Sequence, residues 1–182
     1  MADGNLIHTL SDEQTTMGVG VASSRVPKIV SGGQTGVDRA ALDFALERGI
    51  PCGGWCPKHR AAEDGRIPDR YPLQEVNGGY RVRTEKNVID SDATLILITD
   101  KLAGGTLLTR NLCRKHGKPH LVVKLTSGNA LDEASRWLRG SEITVLNVAG
   151  PRESGEPAIH ENAMSFLRSL FSTIQSSSDR HF

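Results

Sequence analysis

Three absences narrow the range of functions for this chain before any motif is considered. Aromatic residues make up only 4% of the 182 residues, which argues against a platform that stacks nucleic-acid bases. The formal net charge is +1, so no excess of positive charge favours binding to nucleic acid or to a membrane surface. No apolar run approaches the roughly 20 residues that a membrane-spanning helix needs. We therefore expect neither nucleic acid nor a membrane among the partners.

Cysteine is also scarce. The three cysteines, Cys52, Cys56 and Cys113, are an odd number and do not provide the two ligand pairs of a structural zinc site. Such sparse use of cysteine suits a reducing compartment. The first residues are polar and acidic, and they lack the basic and apolar regions of a secretory signal. From these features we expect a cytoplasmic protein.

The sequence lacks the two common nucleotide-binding fingerprints, yet it contains a glycine-rich turn of the same general kind. Residues 31–36 read SGGQTG, which is neither GxxxxGK[ST] nor GxGxxG. The β-branched pair Ile29–Val30 precedes the turn, and a helical pattern with one apolar face follows over residues 37–48. A Gly-rich turn from strand to helix presents backbone N–H groups to an anion. The turn therefore predicts a site for a phosphate or another oxyanion.

Strand and helix patterns alternate along the middle of the chain, which predicts an α/β fold. The strongest strand signal is ATLILIT at Ala93–Thr99, a continuous run that is typical of a strand buried on both faces. We predict further strands at 28–31, 50–55, 119–123 and 143–148, and helices at 37–48, 80–89, 105–116, 129–138 and 159–171. Right-handed crossovers then give a Rossmann-like, doubly wound, mainly parallel sheet with helices on both faces.

The chain is long enough for one domain with a sizeable core, and we place that domain at residues 27–171. Residues 1–26 have no sustained periodicity and are rich in small polar residues, so we expect a disordered N-terminal arm. Residues 172–182 include three consecutive serines, and we expect a flexible C-terminal tail there.

Three glycine-rich loops are predicted at the carboxyl edge of the sheet, where ligands bind in folds of this class. They follow the first strand, the Ala93–Thr99 strand and the last strand. Two of them open helices, so two helix N-termini are expected to point at one pocket. Arg39 and Arg152 could each hold an anion with two hydrogen bonds. The candidate ligand-binding residues on these loops are Ser31, Gly32, Gly33, Gln34, Thr35, Gly36, Asp38, Arg39, Gly104, Gly105, Thr106, Asn147, Gly150, Pro151, Arg152 and Ser154.

A fourth wall of the pocket is predicted from the long polar segment Pro57–Gly79. Loops of this length inside a compact domain are usually functional or disordered. The segment leaves the second strand beside the first glycine turn, and its start is basic while the next residues are acidic. We therefore add Lys58, Arg60 and Asp64 to the candidate residues.

Five segments of the chain resemble the molybdenum-carrier family, whose members are similar to molybdenum cofactor carrier proteins. They read SGGQTGVDRAALDFA, GGWCPKHRAAEDGRIPDRYPLQE, YRVRTEKNVIDSDATLIL, GGTLLT and LNVAGPRES, and they extend in order from about Pro27 to Phe171. The resemblance implies a fold similar to lysine-decarboxylase-like and phosphoribohydrolase proteins. It also implies an anionic molybdenum ligand, either the phosphorylated pterin cofactor or molybdate, and it favours Arg83 as a contact.

The similarity to phosphoribohydrolases bears on whether the chain is an enzyme. Those enzymes resemble the pattern GGxGTxxE, in which the Glu acts in cleavage of the ribosyl bond. The corresponding loop here reads GGTLLT, is two residues shorter, and places Thr109 where the Glu would stand. A threonine cannot serve as a carboxylate general acid or base. A binding role is therefore favoured over hydrolysis.

Three hypotheses remain open from the sequence alone. The first is a carrier for molybdenum cofactor or molybdate, and the second is an enzyme that binds a nucleotide or a ribosyl phosphate. In the second, Asp38, Asp64, Asp100 or Glu153 would supply the acid or base. The third is a nucleotide-sensing module. We also expect a homo-oligomer, a dimer or tetramer, because proteins of similar fold often self-associate through helices that flank the sheet.

Overall fold

Five parallel strands form the central sheet of the computed structural model, which describes residues 27–178. In spatial order they are β2 (Cys52–Gly53), β1 (Lys28–Val30), β9 (Val145–Ala149), β7 (Ala93–Ile98) and β8 (His120–Lys124). Every neighbouring pair in this order is parallel. The carboxyl ends of the strands therefore lie along a single edge of the sheet.

Helices cover both faces of this sheet. They are α1 (Val37–Glu47), α2 (Tyr80–Ile89), α3 (Gly104–Lys115), α4 (Ala130–Arg139) and α5 (Ile159–Ser178). Apolar side chains of α1, α4 and α5 form the main core with the strands, and the rings of Phe44 and Phe171 lie 5.1 Å apart there. A smaller cluster joins α2 to α3 through Val88, Leu112 and Cys113. The predicted Rossmann-like α/β class is confirmed.

The central position of β7 explains its sequence. All six residues of this strand are buried, because β8 and β9 flank it and helices cover it. The single polar residue in the strand is Thr94, whose hydroxyl accepts a hydrogen bond from Asn147 Nδ2 at 3.2 Å. The nearly continuous apolar run therefore reflects burial on both faces.

The segment from Ile50 to Trp55, predicted as one strand, is two short strands in the structure. β2 ends at Gly53, and β3 (Trp55–Pro57) leaves the central sheet to pair with β6 (Gln74–Val76). The break falls at Gly54, which has a φ of 129° and lies against the backbone of Ser31, where a side chain would overlap. Only glycine accepts both constraints without strain.

The segment 57–79, predicted as a loop, contains secondary structure and a core of its own. We call it the excursion. It begins with a 3-10 turn (Lys58–Arg60) and a hairpin of β4 (Ala61–Ala62) and β5 (Gly65–Arg66), and it includes β6. Its buried side chains Ile67, Tyr71 and Leu73 pack with residues of α1 and β3. The excursion is therefore a packed subdomain attached to α1.

The last helix is longer than the sequence suggested. We predicted its end at Phe171, but α5 continues through Ser178, and Ile174 packs against the main core. The apolar face is thus extended by one turn, which corrects the start of the predicted tail. The predicted N-terminal arm at 1–26 and the final residues 179–182 lie outside the described residues. No helix between residues 27 and 178 is long and apolar enough to cross a membrane.

Candidate functional site

A cavity of about 710 Å³ opens at the carboxyl edge of the sheet. Its wall consists of the loop after β7, the loop after β9, the first turns of α2 and α3, and two residues around the start of α1. Because β7 and β9 are parallel neighbours, the loops that follow them meet at this edge. Ten of the predicted site residues line the cavity, namely Gln34, Asp38, Arg83, Gly104, Gly105, Thr106, Gly150, Pro151, Arg152 and Ser154.

The first turn of α3 supplies free hydrogen-bond donors to this wall. Gly104, Gly105 and Thr106 begin the helix and line the cavity. Among the residues that the structure describes, none accepts a hydrogen bond from their backbone N–H groups. The first N–H groups of a helix have no partner within the helix and carry its partial positive charge. This turn can therefore bind an anionic group.

A buried ion pair forms another part of the wall. Arg83 Nη1 lies 3.0 Å from Asp38 Oδ2, and the two side chains are only 11% and 6% exposed. Burial raises the pKa of Asp38 above its ordinary value, although the charge of Arg83 and the Gln34 N–H lower it. The pairing offsets the desolvation of two charges, which would be far more costly if either stood alone.

Two buried donor atoms beside the cavity have no acceptor among residues 27–178. They are Nε2 of Gln34 and Nε of Arg83. The other amide atom of Gln34, Oε1, accepts hydrogen bonds from the N–H groups of Thr35 and Glu63 at 3.2 and 2.9 Å. An unpaired buried donor costs about 1–3 kcal/mol. Both atoms are shielded from solvent, so they are unsatisfied donors behind the wall and do not by themselves specify a ligand.

Arg152 stands at the rim of the cavity with its guanidinium 4.7 Å from the ring centre of Tyr80. Its Nη1 is also 3.9 Å from Glu63 Oε2, and its side chain is 43% exposed. The guanidinium is thus held by an aromatic face and a carboxylate on one side. Its remaining N–H groups are available to an anion, which Arg recognises with two parallel hydrogen bonds.

The wall is not uniformly positive. Besides Arg83, Lys101 and Arg152 it carries the carboxylates of Asp38, Asp100 and Glu156. Asp38 is compensated by Arg83, and Asp100 is exposed. Glu156 lies half-buried and accepts hydrogen bonds from both the N–H and the hydroxyl of Thr99, at the end of β7. The cavity therefore offers both donors and acceptors to a ligand.

The first glycine turn contributes less to the cavity than its sequence suggested. The Val37 N–H donates to the Pro151 carbonyl at 3.2 Å, and the Gln34 N–H donates to Asp38. A side chain at Gly32 would overlap the guanidinium of Arg83, and one at Gly36 would overlap the backbone of Pro151. Of the two helix N-termini predicted to face the pocket, that of α3 lines the cavity with three consecutive residues. That of α1 reaches the wall through Asp38 and otherwise packs against the loop after β9.

Ten predicted site residues do not line the cavity. They are Ser31, Gly32, Gly33, Thr35, Gly36, Arg39, Lys58, Arg60, Asp64 and Asn147. The Ser31 hydroxyl donates to the Val148 carbonyl at 2.7 Å, and Asn147 binds Thr94 inside the sheet. Lys58 is exposed on the excursion. Their polar atoms serve the packing of the turn, the sheet and the excursion.

Arg60 shows most clearly why a basic residue in a suggestive loop need not face the ligand. Its guanidinium is buried and donates hydrogen bonds to the carbonyls of Ile67, Pro68, Tyr71 and Leu73 at 2.9–3.1 Å. These contacts hold the excursion together from within. These contacts could not be predicted from residue types, because every residue carries a backbone carbonyl.

The tip of the excursion is fastened to the α1 turn and to the loop after β9. Arg39 forms a two-pronged ion pair with Asp64, which lowers the pKa of that carboxyl. Glu63 accepts hydrogen bonds from the hydroxyls of Thr35 and Ser154. Partial burial raises the pKa of Glu63, but the bonds from Ser154 and Thr35 lower it by more. The predicted fourth wall is thus a brace behind the cavity.

Several lining residues were missed at the sequence level. They are Tyr80, Thr84, Thr99, Lys101, Ala103, Leu108, Thr109, Ala149, Gly155, Glu156 and Pro157, while Asp100, named only as a candidate acid or base, also lines the cavity. One signal was available, since Tyr80, Arg83 and Thr84 share one face of α2 at helical spacing. The position of α2 beside α3 at the carboxyl edge could not be deduced from that spacing. Within 27–178 no group of three or more His, Cys, Asp or Glu side chains is arranged to hold a metal ion.

Comparison with known proteins agrees with the resemblance seen in the sequence. The model of the circularly permutated YpsA SLOG family matches residues 29–171. A crystal structure from Syntrophus aciditrophicus SB, named "Putative molybdenum carrier protein", is 47% identical to this chain with a TM-score of 0.76. The match covers 80% of this chain and 94% of that one. Curated proteins gave no match.

Proposed function

Because the chain belongs to the circularly permutated YpsA SLOG family, we propose that it is a carrier that binds an anionic molybdenum species in the cavity. Its 47% identical relative bears the name of a molybdenum carrier, and we extend that role to this chain. The single observation that carries the proposal is the first turn of α3, whose three unpaired N–H groups share the cavity wall with Arg152.

The chemistry of this wall suits an oxyanion or phosphate. Backbone N–H groups at a helix N-terminus and an arginine bind such groups without direct ligation of a metal atom. The unpaired Nε2 of Gln34 and Nε of Arg83 add donors close to the same wall. Because these two atoms are shielded from solvent, the proposal depends on the N–H groups of α3 and on Arg152.

The size of the cavity favours the phosphorylated pterin cofactor over a single molybdate ion. A volume of about 710 Å³ lies within the range of about 300–1,000 Å³ that is typical of sites for organic ligands. One tetrahedral oxyanion would leave most of that volume to water. We therefore propose the cofactor as the principal cargo, with molybdate as the smaller alternative.

A binding role also agrees with the position of Thr109. This residue lines the cavity where related hydrolases place a Glu, and its hydroxyl donates to the Gly105 carbonyl at 3.0 Å. The hydroxyl thus bonds the helix that presents the free N–H groups and offers no carboxylate for catalysis. The homo-oligomeric state and the cytoplasmic location remain predictions from the sequence.

The proposal is tested by measuring molybdenum retained on the protein. Purified protein is incubated with molybdate or with molybdenum cofactor, desalted, and analysed by elemental mass spectrometry. We expect about one molybdenum per chain with the cofactor. Arg152→Ala should weaken binding about tenfold, the lower end for a charge-assisted hydrogen bond, because the side chain is 43% exposed.

Arg114→Ala is the matched control. Arg114 is exposed in the last turn of α3 and does not line the cavity, so the variant loses one arginine charge, as Arg152→Ala does, but leaves the cavity intact. Equal loss of binding in both variants would point to a general charge effect. Absence of retained molybdenum on the unmodified protein, together with a melting temperature raised by nucleotides or sugar phosphates, would favour the nucleotide-binding hypotheses instead.

A further inference from the structure

Glu156 is a carboxylate on the wall of a cavity that otherwise suits an anion. It follows the loop after β9 and stands beside the end of β7. Thr99 contributes both of the hydrogen bonds that fix it, since its N–H, at 3.3 Å, and its hydroxyl both donate to Oε2. The orientation of the carboxylate is therefore set by the sheet edge.

The second carboxylate oxygen of Glu156 has no hydrogen-bond donor among the residues that the structure describes. Within residues 27–178, no hydrogen-bond donor contacts Oε1 and no Lys, Arg or His lies within 4.0 Å of the carboxylate. The other two carboxylates of the wall are different, because Asp38 is paired with Arg83 and Asp100 is exposed. Glu156 alone combines partial burial with an unpaired oxygen.

The backbone couples Glu156 to Arg152. The carbonyl of Arg152 accepts hydrogen bonds from the N–H groups of Gly155 and Glu156 at 3.1 and 3.0 Å. This tight turn fixes a cation and a carboxylate four residues apart on one loop. A ligand that meets both residues must carry an anionic group and, at a set distance from it, a hydrogen-bond donor.

We propose that Glu156 is the specificity-determining residue of the cavity. It accepts a hydrogen bond from an amino or hydroxyl group on the organic part of the cargo, while the anionic group lies at the first turn of α3. A carboxylate repels a second anion and accepts strongly from N–H and O–H donors. The cargo is therefore an organic anion with its own donors, and a bare oxyanion makes no use of this residue.

The inference rests on the proposed carrier function and deepens it. Glu156→Gln gives the sharpest test, because the amide oxygen can keep the bonds from Thr99. The amide NH₂ then faces the cavity, so an acceptor becomes a donor without a change in size. Glu161→Gln is the control, since Glu161 is exposed on α5, does not line the cavity, and loses the same charge.

Binding of two probes, molybdenum cofactor extracted from a molybdoenzyme and sodium molybdate, is measured for the three proteins. We expect Glu156→Gln to weaken cofactor binding about ten- to a hundredfold, as for a lost hydrogen bond to a charged group. Its affinity for molybdate should stay equal or rise, because a negative charge has been removed. Glu161→Gln should match the unmodified protein with both probes, and circular dichroism should confirm that all three are folded.

Each outcome decides the question. Equal cofactor affinity for Glu156→Gln and the unmodified protein would overturn this inference and leave the carrier function intact. Parallel loss of cofactor and molybdate would mean that Glu156 supports the cavity as a whole, which also overturns it. Failure of the unmodified protein to bind either probe would overturn the carrier function and this inference with it.

Discussion

Two glycine-rich turns of this chain look alike in sequence and serve different purposes in the structure. At residues 31–36 the glycines lie against other parts of the protein, and side chains added there would overlap Arg83, Leu73 or the backbone of Pro151. At Gly104 and Gly105 an added Cβ would meet nothing within 4 Å. The first turn is packed and internally bonded, whereas the second faces the cavity.

The difference shows that glycine, which has no side chain, serves two purposes in these turns. In the α1 turn it lets Arg83 and the loop after β9 approach the backbone closely. In the α3 turn it leaves N–H groups accessible to a ligand. The sequence pattern of strand, glycines and helix is common to both. Whether the glycines of a turn are packed or open depends on the segments that lie next to them. For the first turn these are α2, the excursion and the loop after β9, all distant in the chain.

The largest expected effect comes from breaking the ion pair behind the first turn. Arg83→Met removes the partner of Asp38, which is 96% buried, and should lower the free energy of unfolding by about 3–5 kcal/mol at neutral pH. Urea unfolding measures the loss. Arg81→Met, at an exposed position of the same helix, should change stability by less than about 0.5 kcal/mol.

The pH dependence of the free energy of unfolding of Arg83→Met tests the same ion pair. Burial raises the pKa of Asp38, so the folded state binds a proton more tightly than the unfolded state. Stability contributed by this group is present below its ordinary pKa and falls as pH rises through the higher folded value. Loss of Arg83 raises the folded pKa further, so the difference between the variant and the parent should grow as pH rises. A stability difference between variant and parent that does not depend on pH would contradict the prediction. So would a double variant, Arg83→Met with Asp38→Asn, that is no more stable than Arg83→Met alone.

The next largest effect tests the packing of the first turn directly. Gly36→Ala places a methyl group against the carbonyl of Pro151 at a φ of 75°, and backbone cannot move aside as a side chain can. Crowding and an unfavourable φ together should lower the free energy of unfolding by about 2–4 kcal/mol. Thermal and urea unfolding measure this loss. A change below about 1 kcal/mol would mean that the turn and the loop after β9 are not in contact in solution.

Much of the fold could be predicted from the sequence because its signals are local. The buried run of β7 and the amphipathic patterns of α1 to α4 depend on residues within one element, and their bounds agree to within a residue or two. The split between β2 and β3 depends on a contact between Gly54 and Ser31, which no local pattern contains. The end of α5 was missed because the serines after Phe171 resemble a tail.

Only half of the predicted site residues line the cavity, because side-chain contacts between distant segments decide which residues face it. Glycine and arginine identified the loops. The topology brought the second and third loops to the cavity, and the first loop reaches it only through Gln34 and Asp38. Whether a given arginine faces a ligand depends on its partners within the protein. These are backbone carbonyls for Arg60, the Asp64 carboxylate for Arg39 and the aromatic ring of Tyr80 for Arg152. Glu156 carried no signal of its own, since its partner Thr99 lies 57 residues away.

The smallest expected effect comes from alanine substitutions in the second glycine turn, which test whether that turn is open. Gly105→Ala places a methyl group in open space at a helical position, so it should raise the free energy of unfolding by about 0.5–1 kcal/mol through the lower entropy of the unfolded chain. Gly104→Ala is the matched variant, because Gly104 is equally open but has a φ of 50°. It should instead lose about 1 kcal/mol. Opposite signs at adjacent glycines, measured by urea unfolding, would establish that only backbone conformation constrains this turn. If Gly105→Ala destabilises by as much as Gly36→Ala, the second turn is packed like the first and its N–H groups are not open to a ligand.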